Sequence, residues 1–479
     1  MTRKKEDFIP FFEEWKAEFV GMYSCGPTVY HTPHIWNYKA SFTADLIRNT
    51  LKYMCGYPTK TVMNFTDVGH LTSDADTGED KLEKGAKREG ITAREVARKY
   101  EAEFLDWLKK LNIDVFDVMP RATDHIQQQI ALVKILEEKG YTYEVPGDGI
   151  YMDTSKIDDY GKLMGPNYKK RLENLNAGER IDMGGKKLAT DFALRKFSPT
   201  NEKRQMERDS PWGVGFPGWH IECSAMSSEY LGQQFDVHHG GIEHVTVHHS
   251  DEIAQSESAF WKKPWVKYWM HNALLQVDGG KMGKSLGNAY TLTDIEEKWF
   301  SLLDLRYFFF IASVSTTQNF SWESLEVAKT TRKNLQKKIE KAVLQFNIQL
   351  PSTLPEVFSV VVGQYPESEQ FLQAIDESIK DNLNTPKLLS VINNALANPT
   401  KETIEILYQL DQKYLKCWLF DSDDSSSTEI PTEITELAHQ RLTAKAEKNY
   451  ALADELRAKI QEQWYVIKDI PWGFEIEKN

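Results

Sequence analysis

The chain has 479 residues, too many for one hydrophobic core, so about three domains are expected. Its composition, 41% hydrophobic and 27% charged, fits a soluble globular protein, and a net charge of −13 argues against a strongly basic nucleic-acid protein while leaving local basic stretches such as 332–338 free to meet phosphate. No apolar run reaches the roughly 18–20 residues that span a bilayer, Glu and Asp interrupt the apolar N-terminus so that no signal peptide is read and a cytoplasmic location is expected, and four cysteines make no disulfide framework.

An apolar stretch over 19–23 runs into 23–37, YSCGPTVYHTPHIWN, which holds one cysteine, a Gly-Pro turn and two histidines. A strand, a Gly-containing turn and a helix start can cradle phosphate, because backbone N–H groups and the helix dipole face the anion. A tight turn with a buried cysteine fits the same residues equally well. Phe42, Leu46, Ile47, Leu51 and Met54 then recur at helical spacing in 36–56, and 58–66 reads as a strand. This β-α-β start predicts a parallel sheet. Residues 67–90, rich in Asp, Glu, Lys and Gly, read as a polar loop, and 92–111 as an amphipathic helix. From 112 to 215 the character changes: a helix over 124–139, two short strands around a turn in 142–154, and a strand candidate at 191–197 read as an insertion. The α/β pattern resumes at about 216, with helices near 220–231 and 248–260, strands at 235–241 and 267–271, and a hairpin-like segment at 274–288. Beyond 290 the pattern is helical. The Asp/Ser tract 421–429 reads as a linker, one helix is expected over 434–463, and an aromatic tail follows.

Three groups of residues could carry chemistry. His248 and Glu252 stand at i, i+4 on one helix face, and with Cys223 and Cys25 they make a plausible tetrahedral zinc set. Spacing cannot join ligands so far apart, and a surface pair plus a buried cysteine is the plainer reading. GGKMGKSLGN (279–288) puts Lys281 and Lys284 in a flexible loop suited to a polyphosphate. It is not a Walker loop, and an ordinary lysine-rich turn also fits. In HHGGIEH (238–244), Gly240 and Gly241 would admit a ribose or phosphate closely, and Glu243 could accept from a ribose hydroxyl; a bulge or loop is the alternative.

Taken in order, YSCGPTVY (23–30), HIWN (34–37), NFTDVGHLTSDAD (64–76), RATDHI (121–126), FPGWHIECSAM (216–226), GGIEHVTVHHSDEIAQSE (240–257), YWMH (268–271) and KMGKS (281–285) resemble a class I aminoacyl-tRNA synthetase, and specifically the cysteinyl-tRNA synthetase family. DLRYF (304–308) and DNLNTPKLL (381–389) resemble that family's helical region. The resemblance implies an α/β fold: a Rossmann-like parallel-sheet catalytic domain (1–111 and 216–275) split by a connective insertion (112–215). A KMSKS-type loop and stem-contact region (276–345), an α-helical tRNA-binding bundle (346–422), a linker (423–433) and a small C-terminal anticodon-binding piece (434–479) would follow.

It further implies a Zn²⁺ ion on Cys25, Cys223, His248 and Glu252 that selects the substrate thiolate. That selection would remove the need for an editing domain. The implied reaction joins L-cysteine to tRNA(Cys) with ATP through cysteinyl adenylate, with Mg²⁺ accompanying ATP. His34, Asn37, Lys281 and Lys284 are the implied catalytic residues. Gly26, Thr28, His34, Glu243 and Lys284 fall on the ATP side, and Cys25, Thr66 and Trp219 on the amino-acid side. Departures from the family pattern are Trp36 for glycine, Asn37 for histidine, Gly283 for serine and Glu243 for aspartate. A monomer without membrane partners is expected. Alternatives are a cysteine ligase acting on an amino-sugar inositol, which has no use for the C-terminal third, and a catalytically idle paralogue that binds zinc and nucleotide or RNA. The tail aromatics Trp464, Tyr465, Trp472 and Phe474 could stack on unpaired bases or pack in a small core.

Overall fold

The computed structural model describes residues 5–478 other than 16, 69–70, 72–78, 115, 171, 173–184, 199–203, 281–286, 352–353, 355–367, 422–431, 447–448, 464 and 471–472. They form two compact units, Met1–Glu296 with Phe300–Leu419 and Glu297–Trp299 with Phe420–Asn479. Among the described residues, no helix is long and apolar enough to cross a membrane.

After a short α1 (Phe11–Trp15), β1 (Val20–Ser24), α2 (Ile35–Asn49) and β2 (Thr59–Met63) make the expected β-α-β unit, with β1 and β2 parallel. The pattern of 67–90 misled: although 69–70 and 72–78 lie outside the described residues, 81–89 is helical (α3, Lys81–Glu89). Asp80 caps its start by accepting from the N–H groups of Leu82 and Glu83, and Gly90, at φ 69°, closes its end. Only Leu82, Gly85 and Ala86 are buried on it, too few apolar positions to announce a helix.

Next come α4 (Ala93–Lys110), α5 (Ile126–Glu138) and an antiparallel sheet of β3 (Thr142–Val145), β4 (Gly149–Met152), β5 (Ala193–Phe197) and β6 (Gly215–Pro217). This second sheet is separate from the first. Then α6 (Trp219–Leu231), β7 (Phe235–Gly241), α7 (His248–Phe260) and β8 (Val266–Asn272) complete the first sheet, in the order β2-β1-β7-β8, all parallel. Strands β1 and β7 are buried along their whole length, as a parallel sheet covered on both faces requires.

A short β9 (Leu275–Val277) precedes α8 (Leu292–Glu297) and α9 (Leu302–Phe310). β10 (Gln318–Phe320) pairs with β9 in parallel, and α10 (Trp322–Phe346), α11 (Glu369–Lys380), α12 (Thr385–Ala395) and α13 (Lys401–Leu410) follow. In the smaller unit the predicted single helix over 434–463 is two helices, α14 (Thr432–Ala446) and α15 (Tyr450–Glu462), packed together. The Asn449 side chain accepts from Leu452 N–H and starts the second helix without any Gly or Pro to mark the break. The tail is an antiparallel hairpin of β11 (Tyr465–Ile470) and β12 (Gly473–Lys478). Tyr465 is buried in a core with Ile434, Ala438, Ile460 and Ile467, so it packs rather than offering a stacking face. Trp464 and Trp472 lie outside the described residues.

A buried ionic hub fastens α2 to the helices that follow. Arg306 on α9 is fully buried; it donates to Asp45 Oδ2 on α2 at 3.0 Å and to the carbonyls of Leu415, Leu111 and Asn112 at 2.6, 3.0 and 3.1 Å. Lys416 Nζ lies 2.6 Å from Asp114 and 3.6 Å from Asp45.

Lys39, also on α2, is buried between Phe42 and Phe309 and donates to Phe309 O at 3.0 Å. Burial lowers its pKa from 10.5 to about 7. Between those values the unfolded chain binds a proton that the native state has released, so stability rises with pH and falls again as pH drops through the folded pKa. Lys39→Met is expected to remove this rise, on the order of 1 kcal/mol per pH unit. Urea denaturation at pH 7 and pH 9.5 measures it; parallel curves for the two proteins would mean that the lysine stays charged.

Candidate active site

The carboxyl ends of β1, β2 and β7 converge on one cleft, the place where open α/β sheets bind ligands. Cys25 follows directly on β1, and its N–H donates to His239 O on β7 at 3.0 Å. Gly26 comes next, its N–H bonded to Asn64 Oδ1 at 2.9 Å. A Cβ on Gly26 would stand 1.6 Å from Asn64 O, so no other residue fits here. Cys223 lies on the second turn of α6. His248 opens α7, and Glu252 stands one turn later, facing the same way.

The donor atoms of Cys25, Cys223, His248 and Glu252 all lie within 4.8 Å of one another. His248 Nε2 is 2.7 Å from Glu252 Oε1 and 3.6 Å from Cys223 Sγ; Cys25 Sγ is 3.9 Å from the same Glu252 oxygen. Sulfur at ~2.3 Å and nitrogen at ~2.0 Å from a tetrahedral zinc stand roughly 3.5 Å apart, which matches the Cys223–His248 separation. A second set, Cys25, His238, His249 and Glu252, meets the same distance test. It has one thiol instead of two, and His238 Nε2 already holds Glu252 Oε2 at 2.6 Å, leaving Oε1 for the first set. The donor chemistry of the first set fits zinc better.

The electrostatics agree. The hydrogen bond from Cys25 brings the Cys223 thiol down to about 6 against the effect of burial, with His248 adding to it. Burial pushes the Cys25 thiol up, and Cys223 and Glu252 add to that. Burial disfavours the Glu252 anion, but His238 and His248 outweigh it and hold the carboxyl well below the usual range. Burial alone would lower His248; Glu252 and Cys223 raise it to about 10. A metal taking this nitrogen would have to displace a proton.

The cleft has a volume of about 290 Å³ and brings together Cys25, Gly26, Thr28, Asn37, Thr66, Trp219, Cys223, Glu243 and His248, along with Trp36. Trp219 stacks on His248 with ring centroids 4.1 Å apart. Beside Glu243, a Cβ on Gly241 would come within 2.3 Å of the carboxylate. His34 is not among the residues lining the cleft. It caps α2, its N–H donating to Asn37 Oδ1 at 2.9 Å, and it bridges to Thr291 while Ile35 N–H donates to Tyr290 O. Lys281 and Lys284 lie outside the described residues. The chain on their far side, Tyr290–Thr291, is the part that pairs with the start of α2.

Two groups were not singled out from the sequence. Glu222 is fully buried, accepts from Thr66 Oγ1 at 3.0 Å, and burial raises its carboxyl well above the usual range. His220, His238, His249 and His271 surround the donor cluster. The signal for them was two adjacent histidines inside a strand that is otherwise buried, a position polar side chains rarely take without partners.

Trp36 is half-buried in the cleft wall. Trp36→Gly is expected to leave ATP binding unchanged or tighter in equilibrium titration. A large loss would make the indole a stacking surface for adenine.

Residues 11–330 match the model of the class I (C) tRNA synthetase catalytic domain. The cysteine–tRNA ligase of Treponema denticola is 40% identical over 98% of this chain and 96% of its own length. The chain belongs to the cysteine–tRNA ligase family of class I tRNA synthetases. Other family members extend the match: cysteine–tRNA ligase 1 of Burkholderia lata is 40% identical over 98% of this chain and 94% of its own, and the Thermococcus gammatolerans ligase 34% over 99% and 97%. Methionyl-tRNA synthetase of Mycobacterium tuberculosis, solved with methionyl-adenylate, shares the fold at a TM-score of 0.55 and 14% identity, covering 84% of this chain and 89% of that one. The family match runs through nearly the whole chain, including the C-terminal third that an amino-sugar ligase would not need.

Proposed function

We propose that this family member charges its cognate tRNA with L-cysteine in two steps, through cysteinyl adenylate, and that Cys25, Cys223, His248 and Glu252 hold a zinc ion that selects the substrate thiolate. The observation that carries this reading is the meeting of four zinc-type donors, three of which, Cys25, Cys223 and His248, line the same cleft as Gly26, Thr28 and Glu243.

In the first step the cysteine carboxylate attacks the α-phosphorus of ATP, a new C–O–P linkage forms, and pyrophosphate leaves with the electron pair of the broken P–O bond. In the second, a terminal ribose hydroxyl of tRNA attacks the acyl carbon, AMP leaves, and the hydroxyl proton is lost. Neither step needs a protein nucleophile, so the protein contributes positioning and charge stabilisation. The N-terminus of α2, with Asn37 in the cleft, faces the phosphates with its dipole. Gly26 and Gly241 keep the backbone bare where ATP must come close, and Glu243 accepts from a ribose hydroxyl. Lys281 and Lys284 stabilise charge on the pentacoordinate phosphorus, with Mg²⁺ accompanying ATP, and His34 acts by capping the start of α2. Thr66 and Trp219 wall the amino-acid side. When bound, zinc supplies a soft Lewis-acid position that a thiolate occupies and a hydroxyl cannot. Tyr23 and the surrounding histidines keep that position dry.

The test is cysteine-dependent ATP–pyrophosphate exchange by zinc-loaded protein. Exchange with cysteine and far less with serine supports the reading. No exchange would leave an idle zinc- and nucleotide-binding relative.

A further inference from the structure

The side chains behind His248 form a line that starts in the insertion. Tyr160 lies in the turn before Gly161, and its hydroxyl donates to Asp251 Oδ1 at 2.6 Å. Asp251 Oδ2 stands 3.3 Å from His220 Nε2. His220 Nδ1 in turn is 2.8 Å from His248 Nδ1. His248 Nε2, on the far side of its ring, faces Cys223 and Glu252. Asp251 and His220 are each about 1% exposed.

We infer that Asp251 is a positioning residue that fixes the tautomer of His248, and so decides which of its nitrogens is open to a metal. Asp251 accepts from Tyr160 at one oxygen and faces His220 Nε2 with the other, an arrangement that places the His220 proton on Nε2. Neutral His220 then has a bare Nδ1. Two ring nitrogens 2.8 Å apart can bond only if one of them carries hydrogen, so His248 Nδ1 is the donor. A neutral His248 with its proton on Nδ1 has its lone pair on Nε2, aimed at the other three ligands. The reverse assignment would put a proton on Nε2 and close the site. Tyr160, by donating to the other oxygen, holds the carboxylate in place. The insertion thereby supports the metal ligand without touching it. A group behind a ligating histidine is typically worth about 10–100-fold in metal affinity.

This rests on the zinc reading, and the experiment separates the two. Zinc dissociation constants of the full chain are measured by competition with a chromophoric chelator for wild type, Asp251→Ala, Asp251→Asn and Tyr160→Phe, with thermal melting of each zinc-free protein as a check on folding. Wild type should bind one zinc per chain; failure there removes the zinc reading itself. Asp251→Ala should bind about 10–100-fold more weakly. Asp251→Asn, whose amide oxygen still accepts from His220, should recover most of the affinity. Tyr160→Phe should weaken binding by a smaller factor, and it decides the matter if Asp251→Ala does not fold. Wild-type affinity in Asp251→Ala, equal losses in Ala and Asn, or, where Ala fails to fold, no loss in Tyr160→Phe would overturn the assignment.

Discussion

Arg306→Ala is expected to destabilise the larger unit by about 3–5 kcal/mol, the usual effect of removing one partner from a buried ion pair. The guanidinium lies wholly inside the protein and satisfies Asp45 Oδ2 along with the carbonyls of Leu111, Asn112 and Leu415. Alanine leaves all four acceptors in a cavity. Arg48 and Lys416 each lie 3.6 Å from Asp45, so the carboxylate would keep some compensation, but the carbonyls would keep none of their charged donor. Lysine should rescue little, because one ammonium cannot reproduce the planar fork that reaches three chain segments. Urea denaturation gives the number. The effect should also reach activity, because Asp45 is on α2, whose first turn carries Trp36 and Asn37 into the cleft. A loss below about 1 kcal/mol would show that desolvating the arginine already cancels its bonds.

The same arginine marks where the sequence stops being legible. DLRYF looked like a family segment, but its partner Asp45 lies 261 residues away. No periodicity encodes that distance. Local features read well: the β-α-β start follows from apolar spacing, and the i, i+4 placement of His248 and Glu252 is a helix property. Cys25 and Cys223 could be linked to that pair only by resemblance, because the β1–β7 pairing that joins them is a tertiary fact. α3 was missed because its ends are fixed by Asp80 and Gly90 and hardly at all by an apolar face. The break between α14 and α15 was missed because it is marked only by an asparagine N-cap on the second helix, with no Gly or Pro in the sequence beside it. The strand over 235–241 was legible, but no role for His238 and His239 was. They are fully buried inside β7, where His238 anchors Glu252.

Cys223→Ser should lower zinc content and the preference for cysteine over serine together. The swap hardly changes volume, and Cys223 is buried in α6, so the fold should survive it. What changes is charge and softness. The hydrogen bond from Cys25 lowers the Cys223 thiol to about 6, toward the thiolate that binds metal, whereas a serine hydroxyl stays protonated and is a poor zinc ligand. Zinc affinity should fall by more than about 100-fold, since a direct ligand outweighs a group behind one. Selectivity should collapse from ~10⁴-fold or more to the ~10–200-fold that a pocket without a dedicated partner for the thiol can give. Metal analysis after dialysis, with pyrophosphate exchange on both amino acids, reads out both effects. The alternative donors make the experiment sharper. Full zinc and full selectivity in Cys223→Ser, together with loss of both in His249→Ala, would move the ion to Cys25, His238, His249 and Glu252. Zinc lost while selectivity persists would separate the metal from substrate choice altogether.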